Sequence, residues 1–352
     1  MTSFLDLVNY GRRNDCSDIH LSSELPPVFR KNGKLYQSDF EHNPQIIHNL
    51  IFSLLNPEER QILESGTDLD FCHVTPEGLR QRVNIYKQQG SYAAAIRLLN
   101  DTIPSFEDLK LPPIIRKLAS EPRGLILITG PTGSGKSTTL ASMIDYINTN
   151  RAVHILTIED PVEYKHEHKR SIVHQREIGV DASSFAAALR SSLREDPDVI
   201  LVGEMRDYET VSAAVTAAET GHLVLSTLHT IGAANTIDRI IDVFPPHSQQ
   251  QIRTQLSSIL KGVITQQLLP LATGDGRMAA LEVLIGTDAV LNLIRENKTH
   301  QLASVMQTGG RDGMKTLNAD LAMLVRDQKI TYDVGLEWAS DKQEFNQYFG
   351  NR

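Results

Sequence analysis

Cysteine is scarce in this chain, since only Cys16 and Cys72 occur among its 352 residues. Two thiols are too few for a disulfide framework or for a four-cysteine zinc site. Structural disulfides also belong to oxidising compartments. We therefore expect a cytoplasmic protein that carries two reduced thiols.

Long hydrophobic runs are missing as well. Apolar runs such as 125–128 and 199–202 are short, whereas a helix that spans a bilayer needs about 20 consecutive apolar residues. The first six residues lack the basic start and the apolar stretch of a signal peptide. The sequence thus predicts neither a membrane-spanning helix nor a secretory leader.

Positive charge is not in excess: 35 Lys and Arg stand against 43 Asp and Glu, and the formal net charge is -8. This balance argues against a surface that binds nucleic acid throughout, although a local basic pocket remains compatible with it. The hydrophobic and charged fractions, 40% and 22%, are ordinary for a globular protein. At about 150 residues per domain, the length predicts two domains.

Residues 1–100 have the pattern of a small α+β module. Short strand-like segments occur at 18–21 and 27–30, and Asn32-Gly33 is a hairpin signal. Apolar residues follow helical spacing over 44–63, and Asn56-Pro57 is expected to break that helix in two. Four prolines punctuate residues 101–123, but apolar residues persist there, so we expect a packed linker.

From residue 124 the pattern becomes βαβ. Apolar strands at 125–128, 155–158, 199–202 and 223–226 alternate with helices. Such strands predict a parallel sheet that is covered on both faces. After Pro246 the chain is predicted to be mostly helical, and the second domain spans residues 124–352.

A glycine-rich loop follows the first of these strands and opens a helix. It reads Gly130-Pro131-Thr132-Gly133-Ser134-Gly135-Lys136-Ser137, which is the G-x-x-x-x-G-K-S pattern of a P-loop. Its glycines allow successive N–H groups to converge on an anion, and the helix N-terminus adds partial positive charge. Lys136 is expected to reach the β- and γ-phosphates, and Ser137 to ligate Mg²⁺. The residues expected to bind ATP are Thr132, Gly133, Ser134, Gly135, Lys136, Ser137 and Thr138.

Carboxylates follow two of the other strands. The strand 155–158 leads into Glu159-Asp160-Pro161-Val162-Glu163, and the strand 199–202 leads into Gly203-Glu204. Ligands of open parallel sheets bind at the carboxyl ends of strands, and clustered carboxylates are costly unless a cation or a reacting water uses them. The alternative is a solvated acidic turn. Glu204 stands where a Walker B aspartate is usual, which favours contact with Mg²⁺ through water.

Two histidines flank the strand 223–226. His229 follows it and is predicted to sense the γ-phosphate or to orient a carboxylate, whereas a structural role is the alternative. His222 precedes the strand, and a functional role is predicted for it as well, with a structural role as the alternative. His166 and His168 lie in a charged stretch without further ligand spacing, so a solvated face is expected there.

Together these motifs resemble the Walker A, Asp box, Walker B and His box of the type II/IV secretion ATPases. The resemblance rests on segments 130–139, 158–163, 194–207 and 218–230 and runs nearly end to end. It implies a PAS-like N-terminal domain, a RecA-like P-loop ATPase domain with a helical C-terminal part, and a ring-shaped homohexamer. ATP and Mg²⁺ are the implied cofactors.

The resemblance also implies roles for individual residues. Glu163 would be the general base or would position the attacking water, and Glu204 would support Mg²⁺. Arg82 and Arg97 would reach the phosphates from the N-terminal domain, where positive charge stabilises the charge that spreads over the γ-phosphoryl group. The alternative for both residues is that they are surface arginines on a strand. Lys136 and His229 complete the expected catalytic set.

Within the family, the chain is most similar to the retraction motors of type IV pili. Extension and export motors typically carry an extra N-terminal domain and a four-cysteine zinc motif, and this sequence has neither. Retraction motors carry a C-terminal A-I-R-N-L-I-R-E motif, which here spans 289–296 with Leu291 in place of the first arginine. An ordinary amphipathic helix is the alternative for this segment.

The implied function is ATP-driven movement of one domain against the other, which retracts the pilus and supports twitching motility. The implied partners are an inner-membrane platform protein (PilC-like) and, indirectly, pilin, at the inner face of the cytoplasmic membrane; no nucleic acid is expected. Two alternatives stay open. One is an ATPase of a related secretion, pilus-assembly or DNA-transfer machine, and the other is a nucleotide sensor that hydrolyses ATP negligibly.

Overall fold

The computed structural model of the chain describes residues 3–31, 33–99, 102–274 and 276–350. These form two compact units, Met1–Thr102 and Ile103–Arg352. Residues 103–123, which the sequence suggests as a linker, group with the second unit. The reason is burial, because Phe106, Ile115 and Leu118 lie in a core of that unit.

The first unit is an antiparallel sheet with helices packed on one face. The sheet has the strand order β3-β2-β1-β6-β5-β4. Burial alternates along β5, so that Val83 and Ile85 enter the core and Arg82 and Asn84 lie on the opposite face. Its elements are α1 (Phe4–Arg13), β1 (Asp18–Ser22), β2 (Leu25–Lys31), β3 (Lys34–Gln37), α2 (Pro44–Phe52), α3 (Pro57–Glu64), β4 (Leu69–Val74), β5 (Arg80–Gln88) and β6 (Ser91–Leu98).

Two local predictions in this unit are confirmed. The helix over 44–63 is broken, and α3 starts at Pro57 with Asn56 as its N-cap in a capping box. Strands β2 and β3 pair antiparallel with Lys31 opposite Lys34, as expected for a hairpin. Asn32 of the predicted turn lies outside the described residues.

The second unit is built on a mixed sheet with the strand order β13-β12-β7-β11-β10-β8-β9. Its strands are β7 (Gly124–Thr129), β8 (His154–Glu159), β9 (Ile172–Glu177), β10 (Val199–Val202), β11 (Leu223–Leu228), β12 (Leu260–Pro270) and β13 (Arg277–Ile285). Its helices are α4 (Pro113–Ala119), α5 (Lys136–Asn150), α6 (Phe185–Ser192), α7 (Tyr208–Glu219), α8 (Ala233–Asp242), α9 (Gln249–Ile259), α10 (Asp288–Arg295), α11 (Leu302–Thr308), α12 (Leu317–Arg326), α13 (Tyr332–Trp338) and α14 (Lys342–Gln347). Short 3-10 turns occupy Pro246–Ser248, Thr299–Gln301 and Gly309–Asp312.

The predicted parallel strands are confirmed, and both faces of the sheet are covered. Along β7, Leu125 and Leu127 enter one hydrophobic core, whereas Ile126 and Ile128 enter the other. The expectation of a mostly helical chain after Pro246 is wrong for residues 260–285. There β12 pairs parallel with β7, and β13 returns antiparallel at the sheet edge.

Because β7, β11, β10 and β8 are neighbours and parallel, their carboxyl ends share one edge of the sheet. The P-loop, the acidic loops and His229 all follow these strands, so the topology brings them together. Within the described residues, no helix has the length and apolar character needed to cross a membrane.

Candidate active site

The loop between β7 and α5 has the backbone of an anion-binding nest. Gly130 and Gly135 have φ values of 136° and 88°, which residues with a side chain rarely adopt. Residue Lys136 begins α5, so the helix N-terminus adjoins the loop. The predicted strand–loop–helix context is confirmed, and this arrangement favours a bound phosphate group.

The side chain of Lys136 folds back into this loop. Its Nζ donates to the carbonyl oxygens of Gly130 at 2.8 Å and Pro131 at 3.0 Å. Burial lowers the pKa of Lys136, while the carboxylates of Glu163 and Glu204 act in the opposite direction. The lysine and both predicted carboxylates therefore share one electrostatic environment.

The loop that carries Glu163 is tied to the start of α5. The hydroxyl groups of Tyr164 and Thr138 lie 3.0 Å apart, which joins this loop to the helix that follows the P-loop. Val162 donates its backbone N–H to Glu177 of β9 at 3.0 Å. Glu163 itself is half-buried. These bonds hold Glu163 beside the predicted phosphate site.

Glu159, at the end of β8, supports the same loop. Burial raises the pKa of Glu159 to about 7, against the opposing effect of hydrogen bonds from Thr157, Gln175 and the backbone N–H of Glu163. The Thr157 hydroxyl donates to Glu159 Oε1 at 2.6 Å. The carboxyl group of Glu159 thus titrates near neutral pH while it accepts the N–H of Glu163.

Glu204 faces both Arg206 and His229 at the ends of β10 and β11. Glu204 Oε2 lies 2.8 Å from Arg206 Nη2 and 3.6 Å from His229 Nε2. These side chains border a cavity of about 370 Å³, which is lined by Glu204, Met205, Arg206, Thr227, Leu228, His229, Thr230 and Arg239. The structure thus places His229 beside a carboxylate.

His222 lies at the opposite edge of the sheet from His229, so the structure does not bring it to the predicted phosphate site. It precedes β11, and its carbonyl accepts the N–H of Gly124 at the start of β7. Its Nδ1 lies 2.8 Å from the carbonyl oxygen of Ala217. Strand β11, which is six residues long, separates the two histidines, so His222 and His229 lie at opposite ends of it.

The prediction of a solvated face at His166 and His168 is also only half right. His168 is exposed, but His166 is buried, and burial lowers the pKa of His166 to about 4. The charged neighbours in the sequence concealed this, because His166 is buried within an otherwise mostly exposed stretch. Its backbone N–H donates to Gln175 Oε1 at 2.8 Å.

Gln175 is a site residue that the sequence analysis missed. Its Nε2 donates to the Tyr164 carbonyl at 2.8 Å and to Glu159 Oε1 at 3.2 Å. One amide therefore holds the chain on both sides of Glu163. Strand β9, which carries Gln175, has no motif and no continuous apolar run, so only the partial burial of a polar side chain sets it apart.

Arg82 and Arg97 lie opposite each other on β5 and β6 of the first unit. Arg82 makes two hydrogen bonds to Asp70, at 2.8 and 3.1 Å, and Arg97 Nε lies 3.2 Å from Asp18 Oδ1. Both arginines border a cavity of about 200 Å³ together with Asp18, Asn84 and Ala95. The two predicted arginines thus share one polar pocket.

The segment 289–296 forms most of α10. Val290 and Ile294 are fully buried, and Leu291 packs against the same core. Ala289, Asn292 and Arg295 remain exposed. Leucine at position 291 therefore serves the packing of the helix.

Known proteins resemble this chain over most of its length. Residues 92–309 match the family described as type II/IV secretion system protein. The type IV pilus retraction ATPase PilT of Pseudomonas aeruginosa is 46% identical over 97% of this chain and 99% of its own length. A protein of Neisseria gonorrhoeae named as a twitching motility protein is 48% identical over 91% of this chain and 86% of its own length.

A solved structure shows the same likeness in three dimensions. The crystal structure of the pilus retraction motor PilT with bound ADP superposes with a TM-score of 0.92 at 48% identity, covering 99% of this chain and 100% of that one. The ATPase DotB of Legionella pneumophila superposes with a TM-score of 0.83 at 29% identity, covering 94% of each chain. The motifs, the fold and the near-complete coverage lead to one conclusion: this chain belongs to the type II/IV secretion ATPase family.

Proposed function

We propose that this chain is the ATP-hydrolysing motor that retracts type IV pili and so supports twitching motility. The observation that carries the proposal is the P-loop with the Lys136 ammonium inside it and with the loops of Glu163 and Glu204 at the same edge of the sheet. Support for retraction comes from the relatives named for it, which match this chain over nearly its whole length.

The chain's own residues suggest how hydrolysis proceeds. The N–H groups of loop 130–135 and the ammonium of Lys136 bind the phosphates. Glu163 orients the attacking water and accepts its proton. Arg82 and Arg97 supply the positive charge that stabilises the γ-phosphoryl group in the transition state.

The oxygen atoms of Ser137 and Glu204 also fit a bound Mg²⁺ ion. Within the described parts of the chain, no three His, Cys, Asp or Glu side chains are grouped as a metal site. Mg²⁺ usually binds through one or two protein oxygens, substrate phosphates and water. The Ser137 hydroxyl would hold the ion directly, and Glu204 would hold it through water. When bound, Mg²⁺ neutralises charge on the phosphates.

The proposed assembly is a homohexamer with a PAS-like first unit and a RecA-like second unit. We propose that it works at the inner face of the cytoplasmic membrane, on a platform protein of the PilC type, and acts indirectly on pilin. We expect no nucleic-acid partner, since the net charge of -8 argues against a surface that binds nucleic acid throughout.

A secretion machine is the second candidate. The type II secretion system protein E of Xanthomonas campestris is 38% identical over 72% of this chain, but only 45% of that protein is covered. Retraction is favoured over it because the retraction relative matches over 99% of its own length. A gene neighbourhood rich in pilin and prepilin peptidase genes would support retraction, and a secretion or conjugation cluster would support the rival.

Deletion of the gene tests the proposal in the cell. Loss of a retraction motor should leave a hyperpiliated strain without twitching motility, because assembly continues unopposed. Loss of surface pili would instead identify an assembly motor. Unchanged piliation and motility would place the chain in another machine.

A further inference from the structure

Gln266 of β12 lies against both ends of the P-loop. Strand β12 pairs with β7 up to Thr265, which lies opposite Thr129, and Gln266 is the next residue. Its side chain is buried, with 3% exposed. Gln266 Nε2 donates to the carbonyl oxygen of Ser134 at 2.7 Å, and the Thr139 hydroxyl donates to Gln266 Oε1 at 2.8 Å. One amide therefore joins the loop to the first turn of α5.

The backbone of the P-loop also packs closely against Gln266. A Cβ atom on Gly130 would lie 2.1 Å from the carbonyl oxygen of Gln266, and one on Gly135 would lie 2.7 Å from Gln266 Nε2. The approach to the Gln266 carbonyl leaves no room for a side chain at Gly130, and a side chain at Gly135 would displace the Gln266 amide. The two glycines thus permit contact with β12 in addition to their unusual φ values.

The hydrogen bond from Gln266 to the Ser134 carbonyl also determines the direction of the Gly135 N–H group. In a trans peptide, the C=O of one residue and the N–H of the next point in opposite directions. Because the Ser134 carbonyl is turned toward Gln266, the N–H of Gly135 is turned away from β12. That N–H belongs to the set which binds phosphate in a P-loop.

We propose that Gln266 is a positioning residue of the nucleotide site. It fixes the Ser134–Gly135 peptide and the start of α5 in the arrangement that binds the triphosphate. This inference rests on the proposed ATPase function. The role needs a donor and an acceptor on one side chain, which glutamine has and which glutamate and leucine lack.

The test compares Gln266→Leu with Gln267→Leu in the purified full-length chain. Gln267 is similarly buried, with 6% exposed, and its side chain leaves β12 on the opposite face. Affinity is measured by titration with a fluorescent ATP analogue and Mg²⁺, and thermal unfolding without nucleotide shows whether each variant is folded. We expect Gln266→Leu to raise the Kd about tenfold, which corresponds to about 1.4 kcal/mol. Gln267→Leu should bind as the wild type does.

Steady-state kinetics distinguish a positioning role of Gln266 from a general effect on stability. Loss of loop geometry should raise the KM for ATP more than it lowers kcat. A merely structural role would reduce the active fraction and leave KM unchanged. If Gln266→Leu does not fold, Thr139→Val replaces it, since it removes one of the two hydrogen bonds and keeps the shape of the residue.

Each outcome decides the question. Wild-type Kd and KM in the folded variant, or an equal effect of Gln267→Leu, would overturn the role of Gln266 while leaving the ATPase proposal intact. A wild-type chain that binds no nucleotide would overturn both. A selective increase in Kd and KM supports the inference.

Discussion

At the scale of single residues, Glu163 lies in a loop that is held by groups outside the P-loop. Glu159 accepts the backbone N–H of Glu163, and Gln175 donates to Glu159 before Glu163 and to the Tyr164 carbonyl after it. Buried polar groups left without partners are costly, at about 1–3 kcal/mol each. The position of the proposed general base therefore depends on this small polar network.

Glu159 gives the network a measurable pH dependence. Its pKa rises from 4.5 to about 7 on folding, chiefly because of burial. Between these values the folded state binds more protons than the unfolded state, so the contribution of Glu159 to stability is full below pH 4.5 and is lost as the pH rises toward 7. Glu159→Gln removes this titration.

We therefore expect Glu159→Gln to gain stability relative to the wild type as the pH rises through that window. The slope should approach about 1.4 kcal/mol per pH unit, since one proton is linked. Urea unfolding of both proteins between pH 4.5 and 8 measures it, with Glu167→Gln on the exposed side of the loop as control. A difference that does not change with pH would contradict the assignment.

A second residue-scale prediction concerns Arg97, whose side chain is 64% exposed. If it neutralises the γ-phosphoryl group, Arg97→Gln should lower kcat at least about tenfold while the fold is retained, because the charge acts in the transition state. Arg13→Gln, at an exposed position of α1, is the matched control. Steady-state ATP hydrolysis measures both, and equal rates in the two variants would favour a plain surface arginine.

At the scale of elements, Glu282 of β13 connects two helix starts. Helix α8 has Gly232 at its N-cap and no side-chain cap of its own. Instead the Ala233 N–H donates to Glu282 Oε1 at 2.7 Å. Burial raises the pKa of Glu282, and backbone hydrogen bonds from Ala233 and Leu317 oppose the rise. One carboxyl group thus caps α8, just after the His229 loop, and α12.

Removing this carboxyl group should destabilise the second unit. We expect Glu282→Ala to lower the free energy of unfolding by about 2 kcal/mol or more, because two helix N–H groups lose a buried acceptor. Glu337→Ala, at an exposed position of α13, should stay within about 0.5 kcal/mol of the wild type. Chemical denaturation measures both, and equal losses would show that Glu282 is not a shared cap.

The elements that the sequence predicted are those whose signal is local. The strand at 125–128 is wholly apolar, and the glycines and Lys136 that follow it form a contiguous motif. Strand β12 was missed because Thr265, Gln266 and Gln267 are polar yet buried, and the hydrogen-bond partners of Thr265 and Gln266 are more than a hundred residues away in sequence. Local patterns carry no information about such partners, and the same limit concealed Gln175.

At the scale of the whole molecule, each unit has its own sheet and hydrophobic core. The first unit packs Phe29, Ile51 and Ile85 beneath its antiparallel sheet, and the second unit has cores on both faces of its mixed sheet. The length alone predicted two domains. The predicted boundary near residue 100 lies close to the division at Thr102, because the composition changes there.

The central claim for the whole molecule is that hydrolysis at Glu163 powers pilus retraction. The most direct test replaces the chromosomal gene with Glu163→Gln and follows fluorescently labelled pili on living cells, with Glu167→Gln as the matched control. We expect pili that extend but do not retract in Glu163→Gln cells, and normal retraction in the control. Retraction at the wild-type frequency in Glu163→Gln cells that contain no other retraction motor would contradict it.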